Sequence, residues 1–223
     1  MHNNYFKKKK LNLNLIFPDC KQKNGSIVEI LKKKYNLKFS NELVYECDKN
    51  LNYYLMEYGI SELCENDIKV YNMVKEITKE GQYNYIKIEK EDPQGYVIKA
   101  NKEIKKNTLI CEYVGDVLTF QELCVKNIKN DSIMDLIWTP QSETSLVICP
   151  HKNSNIARFI SGVNNSVNFK NQVNTFSTKV SINGVVHILL IAGKNIKKNE
   201  ILYYNYNSVA NNYPTKNFVY KRK

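Results

Sequence analysis

The hydrophobic and polar positions follow a helical period in the first third of the chain. Ser26 and Glu29 stand three residues apart before an apolar pair, a pattern typical of the capping box that opens a helix. A second helix is expected from Asn66, because apolar residues then recur every three or four positions. Its apolar side consists of Ile68, Tyr71, Val74 and Ile77. The first third is therefore expected to be mainly helical.

Beyond residue 84 the period shortens, and short alternating or apolar runs predict β-strands. Asn183-Gly184 predicts a hairpin between residues 179–182 and 185–192, because it supplies the two positive-φ positions of a type I′ turn. Residues 132–138 fit either a helical turn or a strand. The other expected strands are residues 85–88, 96–100, 109–114, 145–149 and 201–206. No internal repeat is apparent, and short strands with helices gathered at one end predict a β-rich α+β domain.

Composition excludes some classes of protein. The chain has 223 residues, of which 43% are hydrophobic, enough for one large domain or for one domain with an appended half-domain. It contains no run of about eighteen apolar residues, so no membrane-spanning segment is expected. The N-terminus does not resemble a signal peptide, because residues 7–10 are lysines followed by alternating leucine and asparagine.

The cysteines and histidines do not suggest a metal site. The six cysteines are scattered without a C-x-x-C pair, and the three histidines complete no ligand set. We therefore expect no bound metal and interpret the thiols as reduced, intracellular cysteines.

The net charge of +11 has two interpretations that both stay open. It attracts the chain to nucleic acid or to a chromatin surface, or it reflects heavy use of lysine throughout the sequence. The lysines at residues 7–10 fit a nuclear-localisation or nucleic-acid patch, although such a run is more often simply a solvated tail.

Four short segments carry candidate chemistry. The glycine of Gly95-Tyr96 lets a backbone approach a ligand closely, and residues 112–116 end a strand at a bend. Residues 155–166 form a polar run whose side-chain amides can bond backbone or a polar cofactor. Residues 201–206 end in Tyr-Asn-Tyr, which places two phenols on one face of a strand. Taken singly, each segment also fits an ordinary turn, a core tyrosine, an asparagine-rich loop or an edge strand.

Together and in this order, the four segments resemble the SET-domain lysine methyltransferases. The pattern of that family is a glycine turn, an E-Y-x-G-D/E strand end, R-F-x-N-H-S and a closing Y-D-Y. Within the family, the chain is similar to the plant-type trithorax-related enzymes that monomethylate lysine 27 of histone H3. The similarity extends over roughly residues 37–219, with shared stretches that include residues 39–43, 146–150 and 154–162.

The resemblance implies a fold and a division of the chain. The fold is an α+β, β-rich SET fold of short strands and small sheets with a pseudoknot-like site, preceded by a helical N-terminal (nSET-like) region. The expected divisions are a basic flexible lead-in at 1–24, a helical nSET-like region at 25–84, the SET domain at 85–208 and a short C-terminal segment without zinc at 209–223.

The resemblance also implies roles for individual residues. Tyr206 matches the catalytic tyrosine, Tyr204 the position that tunes the number of methyl groups, and Tyr113 a residue near the transferred methyl. Contacts to the substrate are expected from Tyr113, Tyr204 and Glu112. S-adenosylmethionine, which leaves as S-adenosylhomocysteine, is expected to bind Gly95, Tyr96, Arg158, Phe159, Asn164, Asn165, Tyr206 and Phe218.

Three positions depart from the family pattern. Asn165 stands where most members have histidine, Asn205 replaces the aspartate between the tyrosines, and Gly95 lacks the partner of a G-x-G. None of these changes removes a reacting group.

The leading hypothesis is a nuclear enzyme that monomethylates histone H3 lysine 27 in nucleosomes. Residues 184–192 also resemble a strand of the enzymes that methylate lysine 20 of histone H4, so that target stays open. Two further hypotheses are a catalytically weak SET-fold module that binds chromatin and, from charge alone, a nucleic-acid-binding domain. Non-specific contact with nucleic acid through the basic segments fits any of these hypotheses. Four acidic residues are expected either to meet the basic histone tail or to be ordinary surface charges: Glu112, Asp116, Asp131 and Asp135.

Overall fold

The computed structural model describes residues 7–16, 27–46, 59–92, 95–128, 130, 132–138, 145–163 and 172–205. Its helices are α1 (Ile27–Tyr35), α2 (Glu65–Thr78) and α3 (Phe120–Val125), and a 3-10 turn spans Ile156–Phe159. Helix α2 begins one residue before the predicted start and buries Tyr71 and Val74 of the predicted apolar side. The predicted cap Ser26 lies outside the described residues.

A five-stranded sheet contains the predicted hairpin. Its strand order is β1 (Lys8–Lys9), β4 (Glu62–Leu63), β13 (Thr175–Ile182), β14 (Val185–Ala192) and β7 (Leu109–Glu112). The turn between β13 and β14 has φ of +53° at Asn183 and +78° at Gly184, which confirms the predicted positive-φ pair.

A four-stranded sheet and three two-stranded pairs complete the described strands. The four-stranded order is β3 (Val44–Tyr45), β8 (Asp116–Thr119), β10 (Leu146–Cys149) and β9 (Met134–Ile137), so the ambiguous segment at 132–138 contains a strand. The pairs are β5 (Ile86–Glu91) with β6 (Gly95–Ala100), β2 (Lys38–Phe39) with β11 (Asn153–Ser154), and β12 (Ser161–Gly162) with β15 (Tyr203–Tyr204). Short strands in small sheets confirm the predicted β-rich fold. The expectation of a mainly helical N-terminal region is not confirmed, because the described residues before 84 contain the four short strands β1–β4 as well as α1 and α2.

Residues 7–16 differ from the flexible lead-in expected for this part of the chain. Strand β1 pairs in parallel with β4, and Leu13 is buried in a hydrophobic cluster between α2 and the large sheet. The carboxylate of Asp67 accepts the backbone N–H groups of Leu11 and Leu13, each at 2.7 Å. The segment in which leucine alternates with polar residues therefore packs against the sheet as a strand would, with one set of side chains buried.

The main hydrophobic core lies between the large sheet, the four-stranded sheet and the 3-10 turn. It contains Tyr113, Phe159 and Tyr204, three residues with predicted site roles. In the part of the chain that the structure describes, no helix is long and apolar enough to cross a membrane. The same residues contain no cluster of three or more histidine, cysteine, aspartate or glutamate side chains that could hold a metal ion.

Candidate functional site

A cleft of about 540 Å³ is lined by residues from α1, the start of β6 and the 3-10 turn. Its volume lies in the range of sites that hold small molecules and cofactors. Four residues predicted to bind cofactor line it together: Gly95, Tyr96, Arg158 and Phe159. The remaining lining residues are Tyr35, Leu37, Asn130, Ser132, Pro150 and His151. Two segments that are far apart in the sequence thus meet in one site.

Aromatic rings from both segments and from α1 pack together at the cleft. The ring centroid of Phe159 lies 5.5 Å from that of Tyr35 and 6.1 Å from that of Tyr96, and both pairs are edge-to-face. Such pairs contribute about 0.5–1.5 kcal/mol each beyond the area they bury. Tyr35 was missed by sequence reasoning, because the last residue of a polar helix carries no local sign of a site.

The guanidinium of Arg158 lies over the ring of Tyr35, 4.5 Å from its centroid. Burial lowers the pKa of Arg158, although an arginine stays protonated in proteins. The neighbours that act against this shift are Tyr113, Tyr35 and Cys149, and no described carboxylate is among them. The site therefore holds a half-buried cation that suits an anionic ligand.

The backbone at Gly95 has a conformation that would be strained in residues with a Cβ, and the space beside its Cα is open. Its φ is +82°, in the left-handed region that favours glycine. A Cβ atom added here would meet no atom within 4 Å. A ligand can therefore approach the main chain at this position.

Tyr113 follows strand β7 and is directed toward the cleft. Its hydroxyl donates a hydrogen bond to the carbonyl of Ser132 at 2.6 Å, and Ser132 lines the cleft. Only 2% of Tyr113 is exposed. The phenol is thus held at the inner edge of the site.

Glu112 was expected to contact the substrate, and the structure gives it other partners. Its side chain is 1% exposed, and its carboxylate lies 2.9 Å from Lys75 Nζ and 2.6 Å from His187 Nδ1. The hydroxyl of Tyr71 donates to the same carboxylate at 2.8 Å. Because side chains alternate along a strand, Glu112 faces α2 while Tyr113 faces the cleft. Glu112 therefore supports the strand and is not assigned to the peptide.

Asp116 is not the surface charge that was considered for it. It is fully buried, and its carboxylate accepts the backbone N–H groups of Lys152 at 2.6 Å and Asn153 at 3.0 Å. These bonds hold the bend after β7 against the end of β10. Asp135 is half-buried on β9, and Asp131 lies outside the described residues.

Strand β15, which carries Tyr204, is held on both sides by distant segments. On one side β12 pairs with it in parallel, and Val163 donates its N–H to the carbonyl of Tyr204 at 3.0 Å. On the other side Asn174 accepts the N–H of Tyr203 at 2.9 Å through its side chain and donates its own N–H to the carbonyl of Tyr203 at 3.1 Å. This pairing places β15 between β12 and Asn174, and Tyr204 is 4% exposed there.

Asn174 is a second residue that sequence reasoning missed. It is 1% exposed, but the neighbouring asparagines give no signal that separates it from a loop residue.

Four predicted site residues lie outside the described residues: Asn164, Asn165, Tyr206 and Phe218.

Comparisons with known proteins identify relatives of the chain. A family model described as the SET domain matches residues 95–207. Histone-lysine N-methyltransferase ATXR6 of Arabidopsis thaliana is 36% identical over an alignment 191 positions long that covers 82% of this chain and 54% of that protein. The Probable Histone-lysine N-methyltransferase ATXR5 of Ricinus communis is 34% identical over an alignment 188 positions long that covers 82% of this chain and 50% of that protein.

A solved structure extends the similarity to three dimensions. The crystal structure of ATXR5 in complex with histone H3.1 mono-methylated on R26 matches with a TM-score of 0.79 and 32% sequence identity. The match covers 86% of this chain and 91% of that one. The chain spans about half the length of the curated relatives it matches.

Proposed function

The chain belongs to the SET-domain family, and on that premise we propose that it is a protein-lysine N-methyltransferase that uses S-adenosylmethionine and acts on the tail of histone H3. The observation that carries the proposal is the cleft in which Gly95, Tyr96, Arg158 and Phe159 meet beside the buried Tyr113. Similarity to proteins named histone-lysine N-methyltransferase, and to an ATXR5 structure that contains histone H3.1, supports it.

The residues of the cleft fit the parts of this cofactor. The rings of Tyr35, Tyr96 and Phe159 offer faces and edges to an adenine. Arg158, without a described carboxylate partner, suits the carboxylate of the methionine portion. The open backbone at Gly95 allows close approach. When bound, the cofactor supplies a methyl group on a positively charged sulfonium.

The reaction requires that the substrate amine be neutral, although a free lysine has a pKa of about 10.4. Buried, largely apolar surroundings such as those of Tyr113 and Tyr204 disfavour an ammonium and so lower that pKa. Once the amine is neutral, positioning supplies most of the rate enhancement. In this proposal Tyr206 orients the nucleophile, and we do not assign it the role of a simple base.

We propose that the product is monomethyl-lysine. A hydroxyl at Tyr204 would hydrogen-bond the amine and leave little room for a methylated amine to turn back toward the cofactor. Pairing of β15 with β12 on one side and with Asn174 on the other keeps this tyrosine in place.

The proposed target is lysine 27 of histone H3 in nucleosomes, which places the protein in the nucleus. The similar ATXR5 structure contains histone H3.1 methylated on R26, the residue next to that lysine. Lysine 20 of histone H4 is the second candidate, favoured by the sequence of β14. The division into an nSET-like region at 25–84 and a SET domain at 85–208 is part of the same proposal.

The test is methyl transfer to recombinant nucleosomes, read by mass spectrometry of each histone. The proposal predicts cofactor-dependent methylation of histone H3 that disappears when its lysine 27 is replaced by arginine. Methylation confined to histone H4 would select the second candidate. If S-adenosylhomocysteine binds in calorimetry but no histone gains a methyl group, the chain is instead a chromatin-binding module.

A further inference from the structure

A short motif, Lys-Xaa-Ile-Lys-Lys-Asn, occurs twice in the chain. It spans residues 102–107 and 194–199, and each copy follows a buried alanine, Ala100 or Ala192, that ends a strand. The expectation that the chain has no internal repeat is therefore wrong at this short scale. We call residues 101–107 and 193–199 the lysine turns.

The two lysine turns are packed against each other by reciprocal hydrogen bonds. Ile104 and Ile196, both fully buried, donate their N–H groups to each other's carbonyls at 2.9 and 2.8 Å. Asn107 donates its N–H to the carbonyl of Ala192 at 2.8 Å, and Asn199 donates to Ala100 at the same distance. These four backbone bonds form two reciprocal pairs, so an approximate local two-fold axis passes between the isoleucines. A further bond, from the N–H of Lys106 to the side-chain oxygen of Asn195 at 2.8 Å, lies outside that symmetry.

The turns also share one backbone conformation. Lys105 accepts the N–H of Thr108 at 3.2 Å, and Lys197 accepts that of Glu200 at 3.1 Å. Asn107 in the first turn has a φ of +64°, and Asn199 in the second has a φ of +67°. Asparagine is among the residues that best tolerate this left-handed conformation. The lysines therefore project from a fixed, symmetric support.

Positive charge is concentrated on this surface. The lysine turns contain six lysines and one glutamate, a net charge of +5 out of +11 for the chain. Glu103 pairs with Lys105 at 2.8 Å. Three exposed lysines of the turns form no ion pair with a described carboxylate: Lys106, Lys197 and Lys198.

We propose that the paired lysine turns bind the sugar-phosphate backbone of duplex DNA, with one turn toward each strand. Duplex DNA carries one negative charge per about 1.7 Å of its axis, and the symmetry of a binding protein commonly mirrors that of the duplex. Lysine provides a point charge that contacts phosphate without reading bases. Within the turns themselves no large hydrophobic side chain is exposed, and the one beside them is Phe176, which is 39% exposed next to Gly193. Charge therefore dominates this surface, whereas protein partners commonly bind through clustered apolar anchors.

The first lysine turn and the cleft lie at opposite ends of β6. Strand β6 begins at Gly95 in the cleft and ends at Ala100, directly before the first lysine turn. A strand of this length spans about 17 Å. DNA contact at this surface goes beyond the proposed methyl transfer and requires neither cofactor nor histone.

The test compares two triple variants of the full chain with equal net charge. One carries Lys106→Glu, Lys197→Glu and Lys198→Glu. The control carries Lys32→Glu, Lys38→Glu and Lys69→Glu, which are exposed lysines without an ion pair to a described residue. Fluorescence anisotropy with a labelled DNA duplex gives the affinity between about 50 and 200 mM salt, the range over which such contacts weaken steeply.

The proposal predicts that the lysine-turn variant binds DNA on the order of 100-fold more weakly at 0.1 M salt. The slope of log affinity against log salt concentration should fall in magnitude by about 2.7, the value for three phosphate contacts. The control variant keeps the wild-type slope, and Lys→Arg at the three turn positions preserves binding. An equal loss in both triple variants would show that net charge alone acts. Binding of polyglutamate without binding of DNA would identify an acidic protein as the partner. Either result overturns the proposal, and matching unfolding temperatures exclude misfolding.

Discussion

At the scale of single residues, adjacent side chains at the end of β7 have opposite tasks. Tyr113 faces the cleft, while Glu112 faces α2 and contacts Lys75 of that helix and His187 of β14. Burial acts to raise the pKa of Glu112, but hydrogen bonds and charges from His187 and Lys75 outweigh it, so the net pKa is below the ordinary value. The carboxylate is therefore ionised and stabilises the folded state.

The substitution Glu112→Gln tests whether this carboxylate stabilises the folded state. Loss of the charge leaves Lys75 and His187 without their buried partner, which is expected to cost about 3 kcal/mol of unfolding free energy. Glu42→Gln is the matched control, because Glu42 contacts the same Lys75 at 3.1 Å but is 72% exposed, and it should cost no more than about 1 kcal/mol. Urea unfolding measures both. Equal losses would contradict the buried role.

The same comparison has a defined pH dependence. The pKa of a glutamate in the unfolded chain is about 4.3. Because the folded pKa lies lower, the stabilisation is complete above about pH 4.3 and is lost as the pH falls through the folded pKa. The difference between wild type and Glu112→Gln should therefore shrink below that pH, and a constant difference would contradict the ionised assignment.

Arg158 gives a prediction for ligand binding. If its guanidinium holds the carboxylate of the cofactor, Arg158→Gln should weaken the binding of S-adenosylhomocysteine by about 10- to 100-fold, the value of a charged hydrogen bond. Isothermal titration calorimetry measures the dissociation constant. Lys69→Gln removes an exposed cation on α2 and should leave that constant unchanged. Unchanged binding in Arg158→Gln would remove this residue from the cofactor site.

Tyr204 gives a prediction for the product. Tyr204→Phe removes the proposed hydrogen bond to the amine and enlarges the space beside it, so a second methyl group should be added. Mass spectrometry of the modified histone at saturating cofactor should show a shift from monomethyl- toward dimethyl-lysine. An unchanged product distribution would refute this explanation of methyl counting.

The sequence predicts some of these residue positions because their segments carry family motifs. Gly95, Tyr96, Arg158 and Phe159 are named from the sequence, and the structure places them in one cleft. The partners of Glu112 could not be named, since Lys75 and His187 reach it from α2 and β14 only after the chain has folded. Strand alternation alone could have indicated that Glu112 and Tyr113 face opposite ways.

At the scale of elements, the bend between β7 and β8 depends on close contact between backbones. A Cβ on Gly115 would lie 3.0 Å from the nitrogen of Pro150 and 3.1 Å from the carbonyl carbon of Cys149. Because backbone atoms cannot turn away as a side chain can, Gly115→Ala should cost about 1–3 kcal/mol.

Urea unfolding tests this close contact, with Gly193→Ala as its control. At Gly193 the nearest atom to an added Cβ is a side-chain carbon of Phe176 at 3.4 Å, an ordinary contact. Gly193→Ala should therefore change the unfolding free energy less than Gly115→Ala does. If both substitutions cost the same, the packing of the bend is not the reason for glycine at position 115.

Local pattern predicts elements whose partners are near in the sequence. The β13–β14 hairpin follows from Asn183-Gly184, and the paired strands agree with it. The parallel pairing of β12 with β15 joins segments about forty residues apart, and alternation within either strand does not indicate its partner. The docking of residues 7–16 on the sheet was missed for the same reason.

At the scale of the whole molecule, the cleft and the lysine turns divide recognition between two surfaces. The cleft combines aromatic rings with one half-buried cation, whereas the turns carry exposed, concentrated charge. Residues 95–207, matched by the family model, include both lysine turns as well as most of the residues that line the cleft. The two surfaces share no lining residue, so each can be substituted while the residues of the other stay unchanged.

The most direct test of the central proposal is peptide-resolved mass spectrometry of recombinant nucleosomes treated with the full chain and S-adenosylmethionine. We predict one methyl group on lysine 27 of histone H3 in the presence of cofactor and none when Tyr206→Phe replaces the wild-type chain. Absence of methyl groups from histone H3, under conditions in which calorimetry shows that S-adenosylhomocysteine binds, would contradict the proposed activity.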